Sequence, residues 1–249
     1  MNATTKLKIT GDYNLSYLNT DHTIESVVEG FTNQPEGRVC LYGPPGTGKT
    51  EFVRYLANRL NKQLVIKSGS DLLSMWVGGT EKNISNMFKE ARKEEALLFL
   101  DEADSFLQDR QQANRSWEIT QVNELLVQME EFNGLFICAT NFMDMLDTAS
   151  LRRFDLKIKF GFMNIDQRWG YFQSIAKTLK IDQSLIGDEK KLKQGIAKLD
   201  NLTPGDFALI KRKARFMGSK INGVNLLDAL EKESTSKPGA NKNVIGFAA

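Results

Sequence analysis

The stretch "GPPGTGKT", Gly43 to Thr50, follows the short apolar run "RVCLY" (38–42) and precedes Phe52, Leu56 and Leu60, which recur at helical spacing. It is a complete GxxxxGK[ST] pattern set between a predicted strand and a predicted helix. Glycines there let backbone N–H groups wrap phosphate oxygens, and the start of a helix favours negative charge. Lys49 is long enough to reach the terminal phosphates, and the Thr50 hydroxyl is suited to a Mg²⁺ ion. A turn of purely structural origin would need neither the lysine nor the threonine. Gly43, Pro44, Pro45, Gly46, Thr47, Gly48, Lys49, Thr50 and the adjoining Glu51 are therefore the candidate nucleotide-binding residues.

Outward from this loop, short apolar runs alternate with helical patterns, the signature of a parallel sheet with crossover helices. "QLVIKSG" (63–69), "ALLFLD" (96–101), "GLFICATN" (134–141) and "LKIKFGF" (156–162) read as four further strands. Ile84, Met87 and Phe88 mark one intervening helix; Ile119, Val122, Leu125, Leu126 and Met129 mark another. After about Met163 only helices are predicted, with Trp169, Phe172, Ile175, Ala176 and Leu179 on one and Phe207, Ile210, Ala214 and Met217 on a second. Thr203 is placed to cap the second, Pro204 suits its first position, and Asp206 suits its positive end. The expected organisation is an α/β nucleotide-binding domain over 1–163, a small helical lid domain over 164–235, and a polar tail over 236–249.

Composition narrows the function classes. The chain has 249 residues, 41% hydrophobic and 26% charged, enough apolar content for a sizeable core. A net charge of +2 is too mild to point to a nucleic acid. No apolar run is long enough to cross a bilayer and residues 1–10 lack the apolar stretch of a leader, so the chain reads as cytoplasmic with no membrane partner. Cys40 and Cys138 lie in apolar runs without metal-ligand spacing and read as buried free thiols. His22 is the one histidine, which removes histidine triads and histidine metal clusters. Acid–base chemistry must come from carboxylates.

"LLFLDEAD" (97–104) supplies them. A strand ending in Asp101 offers one carboxylate to the Mg²⁺ water shell, and Glu102 beside it can orient and polarise an attacking water. Asp101-Glu102-Ala103-Asp104 also spells the signature of the DEAD-box helicases. Those enzymes close two similar α/β domains over RNA, whereas the second domain expected here is small and helical, so the spelling is read as coincidence.

Three further stretches give a family resemblance that extends over about residues 10 to 230. "ATN", ending in Asn141, resembles the sensor 1 segment; "DTASLRRFD" resembles the segment bearing arginine fingers; "MWVGGTEKNI" resembles a first pore loop. Together with the phosphate loop they resemble the AAA+ ATPases, and within them the AAA branch of hexameric protein remodellers. The resemblance implies ATP and Mg²⁺ as cofactors and assembly of the chain with itself, as a hexamer with ATP. It implies Glu102, Asn141, Arg152 and Arg153 as catalytic residues, with the arginines reaching a neighbouring subunit's nucleotide. Thr50 and Asp101 are the implied metal residues, and Trp76, Val77 and Gly78 the residues that grip a protein substrate in a central channel. Gly205 and the Gly11 to Tyr13 stretch match places that contact adenine in this family, and Arg110 to Trp117 matches a second pore loop in position. The family pattern departs in two places: "LRRFDL" is compact, with Leu156 where a further arginine is usual, and no sensor 2 arginine is evident. Which of Arg152 and Arg153 is the finger stays open. The start of the chain, close to the ATPase core, resembles the C-terminal ATPase module of a larger bacterial protein. The alternatives are a nucleotide-gated scaffold and a nucleic-acid-handling AAA+ protein.

Overall fold

The computed structural model describes residues 13–76, 78–104, 116–143, 148–179, 181, 188–217 and 222–237. Val77, Gly11, residues 110–115 of the second pore-loop match and the tail from residue 238 lie outside them. The described chain divides into two compact units, one built on Thr20–Phe160 and the other on Gly161 onward with Ser16–Asn19.

The first unit carries the sheet, except that Asn19 of β1 and Gly161 of β6 fall in the second. Its strands are β1 (Asn19–Thr20), β2 (Gly37–Tyr42), β3 (Leu64–Ser68), β4 (Leu97–Asp101), β5 (Leu135–Thr140) and β6 (Leu156–Gly161), in the order β1-β6-β2-β5-β4-β3. The neighbours from β6 through to β3 all pair in parallel. The five longer strands are those predicted. Two-residue β1 was not, because two residues display no period. Every residue of β5 is buried, as its place between β2 and β4 requires, and this is why "LFICAT" carries no polar alternation.

Helices α1 (Ile24–Asn33), α2 (Lys49–Arg59), α3 (Gly69–Leu72), α4 (Gly79–Lys93), α5 (Ser116–Glu130) and α6 (Thr148–Leu151) belong to this unit. In α4 the buried residues Ile84, Met87, Phe88 and Ala91 fall three and four apart, so one face turns to the core. Phe88 locks that face, with its ring 5.5 Å from Phe132 and 5.4 Å from Phe136. Cys40 and Cys138 are directly paired across β2 and β5, buried and unbridged. Burial pushes the Cys138 thiol well above its ordinary range.

The second unit packs α7 (Ile165–Thr178), α8 (Glu189–Ala197), α9 (Pro204–Met217) and α10 (Gly223–Ser236) around Phe172, Ile196, Leu202, Phe207 and Leu230. Asn164 and Gln167 form a reciprocal capping box at the start of α7, each accepting the other's backbone N–H at 2.9 Å. The start of α9 departs from expectation. The Thr203 hydroxyl does not accept from the helix backbone; it donates to the Asp206 carboxylate at 2.8 Å. Asp206 accepts the Thr203 N–H at 2.7 Å and the Lys237 ammonium at 2.6 Å. A carboxylate at the third helical position outcompetes the hydroxyl because it serves both the helix start and the lysine.

Candidate nucleotide-binding site

The order β2-β5-β4 sets three strand ends side by side, and each delivers part of the site. The phosphate loop follows β2, Asn141 follows β5 and Asp101 ends β4. The chain leaves β2 for β3 at the far edge before working back through β4 and β5, so the loop sits where the winding of the sheet reverses. Crevices at such reversals are where open α/β sheets take ligands.

Gly43 shows why the loop tolerates no other first residue. Its φ is +135°, and a Cβ there would lie 1.9 Å from the backbone oxygen of Phe160 on β6. Inside the loop the Thr47 hydroxyl donates to the Pro44 carbonyl at 2.8 Å, while Pro45 and Gly46 are exposed. Gly48, with φ +99°, hands the chain to α2.

Lys49 is only 7% exposed. Its ammonium donates to the Gly43 carbonyl at 2.6 Å, the Pro44 carbonyl at 3.1 Å and Asn141 Oδ1 at 2.9 Å. The phosphate-loop lysine and the residue after β5 are thus in direct contact. Beside them the Thr50 hydroxyl donates to Asp101 Oδ2 at 2.8 Å. Glu102 follows with φ +55°, its N–H on Asp101 Oδ1 at 3.0 Å and its side chain exposed. Asp104 adds a carboxylate that sequence reasoning passed over: its charge acts on Lys49, and one of its oxygens is buried without a partner. The signal was its place in "DEAD", but only the turn after β4 brings it near the lysine.

Burial lowers the Lys49 pKa to about 8, partly offset by Asp101 and Asp104. From about pH 8 up to the ordinary lysine range the unfolded chain binds the extra proton, so this group makes stability rise with pH across that window. The expected result for Lys49→Met is loss of that rise, a difference on the order of 2 kcal/mol between the ligand-free proteins. Thermal unfolding of both at pH 7, 8, 9 and 10 measures it; parallel pH profiles would refute a depressed lysine.

The remaining candidates take no part in these hydrogen bonds. The Glu51 carboxylate faces Arg54 at 3.6 Å. Arg153 is ion-paired with Glu130 of α5 at 2.5 Å, a partner the sequence did not suggest, while Arg152 is exposed and makes no ion pair among the described residues. Both arginines immediately precede β6, at the opposite end of the sheet from the phosphate loop. Asp155, two residues on, grips the first half of β2 through Arg38 at 2.9 Å. Trp76, 78% exposed, lies eight residues beyond the end of β3, the edge strand three places from β2 in the sheet. Gly205 is in the first turn of α9, in the second unit.

The family whose pattern matches residues 39–162 is described as "ATPase family associated with various cellular activities (AAA)". This chain belongs to the AAA ATPases. It is similar to the ATP-dependent zinc metalloprotease FtsH 2 of Thermoanaerobacter sp. (strain X514), with 31% identity over 223 residues, covering 85% of this chain and 42% of that protein. Against the mouse mitochondrial inner membrane m-AAA protease component AFG3L2 the identity is 35% over 217 residues, 80% of this chain and 26% of the relative. Against proteasome-activating nucleotidase 1 of Haloferax volcanii it is 35% over 161 residues, 61% of this chain and 40% of the relative. The chain thus spans less than half the length of each of these relatives. The AAA match begins inside β2 and ends just after β6, so it takes in the strand ends that carry the phosphate loop, Asp101 and Asn141.

Proposed function

We propose that this AAA domain hydrolyses ATP with Mg²⁺ and uses the turnover to move or remodel a polypeptide through a ring of its own copies, a hexamer when ATP is bound. The observation that carries the hydrolytic half is the contact of Lys49 with Asn141 beside that of Thr50 with Asp101. In this reading the loop amides from Gly43 to Thr50 hold the phosphates, and the Lys49 ammonium exchanges its carbonyl partners for the terminal phosphate oxygens. Thr50 and Asp101 fit a Mg²⁺ ion. Their oxygens are 2.8 Å apart, close to the roughly 3 Å edge of an octahedron with 2.0–2.1 Å bonds, and both are hard oxygen donors. Bound there, the ion would neutralise phosphate charge. Glu102 accepts a proton from the attacking water, and Asn141, reached by Lys49, orients that water.

The remodelling half rests on the loop after α3. Met75 is 96% exposed and Trp76 78%, an apolar pair held away from any core. With His22 as its one histidine the chain has no two-histidine zinc site of its own, and the proteolytic part of the relatives' names is not carried over. Among the described residues no helix is long and apolar enough to cross a membrane.

The test is Trp76→Ala. Stimulation of ATP turnover by an unfolded polypeptide such as reduced, carboxymethylated lactalbumin is expected to disappear, with the melting temperature changed by no more than about 2 °C, because a largely exposed indole contributes little packing. Trp76→Tyr should retain stimulation, since a planar ring with a polar edge still packs on an extended chain. A buried tryptophan would instead cost about 3–5 kcal/mol on truncation. Loss of stability in parallel with activity, or full stimulation in the alanine variant, would sink the gripping role.

A further inference from the structure

Trp76 projects from a loop that is not a free tether. The loop leaves α3 at the buried Leu72, whose carbonyl accepts from the Asn83 side chain of α4 at 3.0 Å. Three hydrogen bonds then close it in sequence. The Ser74 N–H donates to the Thr80 hydroxyl at 3.0 Å, the Trp76 N–H donates to the Ser74 hydroxyl at 3.2 Å, and the Gly79 N–H donates to the Trp76 carbonyl at 3.0 Å. Thr80 is 1% exposed, so the hydroxyl that begins the chain is anchored in the interior although the residues it organises are at the surface.

Gly79 makes the fit tight. A Cβ on Gly79 would lie 2.2 Å from the Ser74 hydroxyl oxygen, the atom that holds the Trp76 amide. Any side chain at 79 must push Ser74 aside and break that bond. Thr80 in turn lies in the first turn of α4, whose buried face of Ile84, Met87, Phe88 and Ala91 is part of the same core as β4 and β5. Packed cores shift as units rather than deform continuously, so a displacement of α4 reaches the indole through the Thr80–Ser74 bond.

We propose that Thr80, acting through Ser74 and accommodated by Gly79, is a positioning residue that fixes the direction of Trp76 and links α4 to the polypeptide-gripping side chain. The proposal rests on the reading of Trp76 as that side chain. It adds that grip depends on a preorganised loop, so loosening the frame raises the concentration of polypeptide needed for stimulation without touching the nucleotide chemistry.

Thr80→Val keeps the shape of the buried side chain and removes the acceptor. The expected result is a KM for unfolded lactalbumin raised about fivefold to tenfold, the effect of one lost positioning bond, with basal turnover unchanged. Hydrogen exchange at the Ser74, Trp76 and Gly79 amides should quicken at least about tenfold while the amides of β4 and β5 stay as protected as before. Thr80→Ser restores the acceptor and should restore both readouts. Gly79→Ala, which disturbs the frame from its outer side, should reproduce the valine variant and serves if that one folds poorly. Polypeptide KM values within twofold of wild type in both Thr80→Val and Gly79→Ala, with stimulation still abolished in Trp76→Ala, would overturn the frame and leave the grip standing. Unchanged stimulation in Trp76→Ala would overturn both.

Discussion

Glu102→Gln is expected to lower kcat for ATP hydrolysis by about 10²- to 10⁴-fold, the contribution of a positioned general base, while the Kd for ATP stays within about threefold of wild type. The amide copies the size of the carboxylate but cannot take a proton from water. Everything proposed to hold the nucleotide remains: the loop amides, the buried Lys49 and the Thr50–Asp101 pair. The backbone supports this division of labour. Glu102 sits at φ +55°, a region that costs a non-glycine residue of order 1–2 kcal/mol. That turn is held from both sides, by the Glu102 N–H on Asp101 Oδ1 at 3.0 Å and by the Ala103 N–H on the Ala139 carbonyl of β5 at 2.9 Å. The carboxylate is thus directed out of the strand end instead of continuing β4. Glu102→Gly should relieve the strain and raise the melting temperature by a few degrees, yet hydrolyse as poorly as the glutamine variant. Single-turnover assays with separate nucleotide titrations check this. A glutamine variant that binds ATP as weakly as Lys49→Met, or that keeps kcat within tenfold, would remove Glu102 from the acid–base role.

What the sequence made legible was whatever depends on neighbours along the chain. The phosphate loop is local, and so are the five longer strands; the uninterrupted apolar runs of β4 and β5 follow from burial on both faces, while β6, "LKIKFG", alternates. Four-residue α3 and α6 and two-residue β1 are too short to show a period and emerge only from packing. Contacts across the fold were hidden for a different reason. Lys49 and Asn141 meet across 92 residues because β2 and β5 are neighbours in the sheet, an order that patterning does not encode. The Arg153–Glu130 pair, the influence of Asp104 on Lys49 and the Ser74–Thr80 bond are of the same kind. At Thr203 side-chain type predicts who can cap, not which of two competing acceptors prevails.

Arg152→Ala is expected to reduce ATP turnover by about 10³-fold or more, the loss seen when an arginine finger is withdrawn from phosphoryl transfer, and geometry dictates that the loss should be repairable from outside the subunit. Strand β6 runs parallel to β2, with Leu156 beside Val39 and Lys159 beside Tyr42. The arginines lie before the start of β6 and the phosphate loop after the end of β2, so about six residues at 3.3 Å, roughly 20 Å, separate them along the strands. No arginine side chain spans that distance. Within one chain Arg152 therefore cannot serve its own phosphates, and its exposure leaves it available to a neighbour's. Arg153 is held by Glu130, so Arg153→Ala should cost less, on the order of tenfold, by loosening the turn that presents Arg152. Mixing decides the arrangement. Lys49→Met subunits bring an intact finger and a disabled site, Arg152→Ala subunits the reverse, and each alone should be nearly inactive. Combined in equal amounts, and shown by sedimentation to co-assemble, they should regain a substantial fraction of wild-type turnover, and the activity of wild type per subunit should itself rise with protein concentration as the oligomer forms. Co-assembled mixtures that stay inactive, together with turnover independent of concentration, would mean that the finger does not act between subunits.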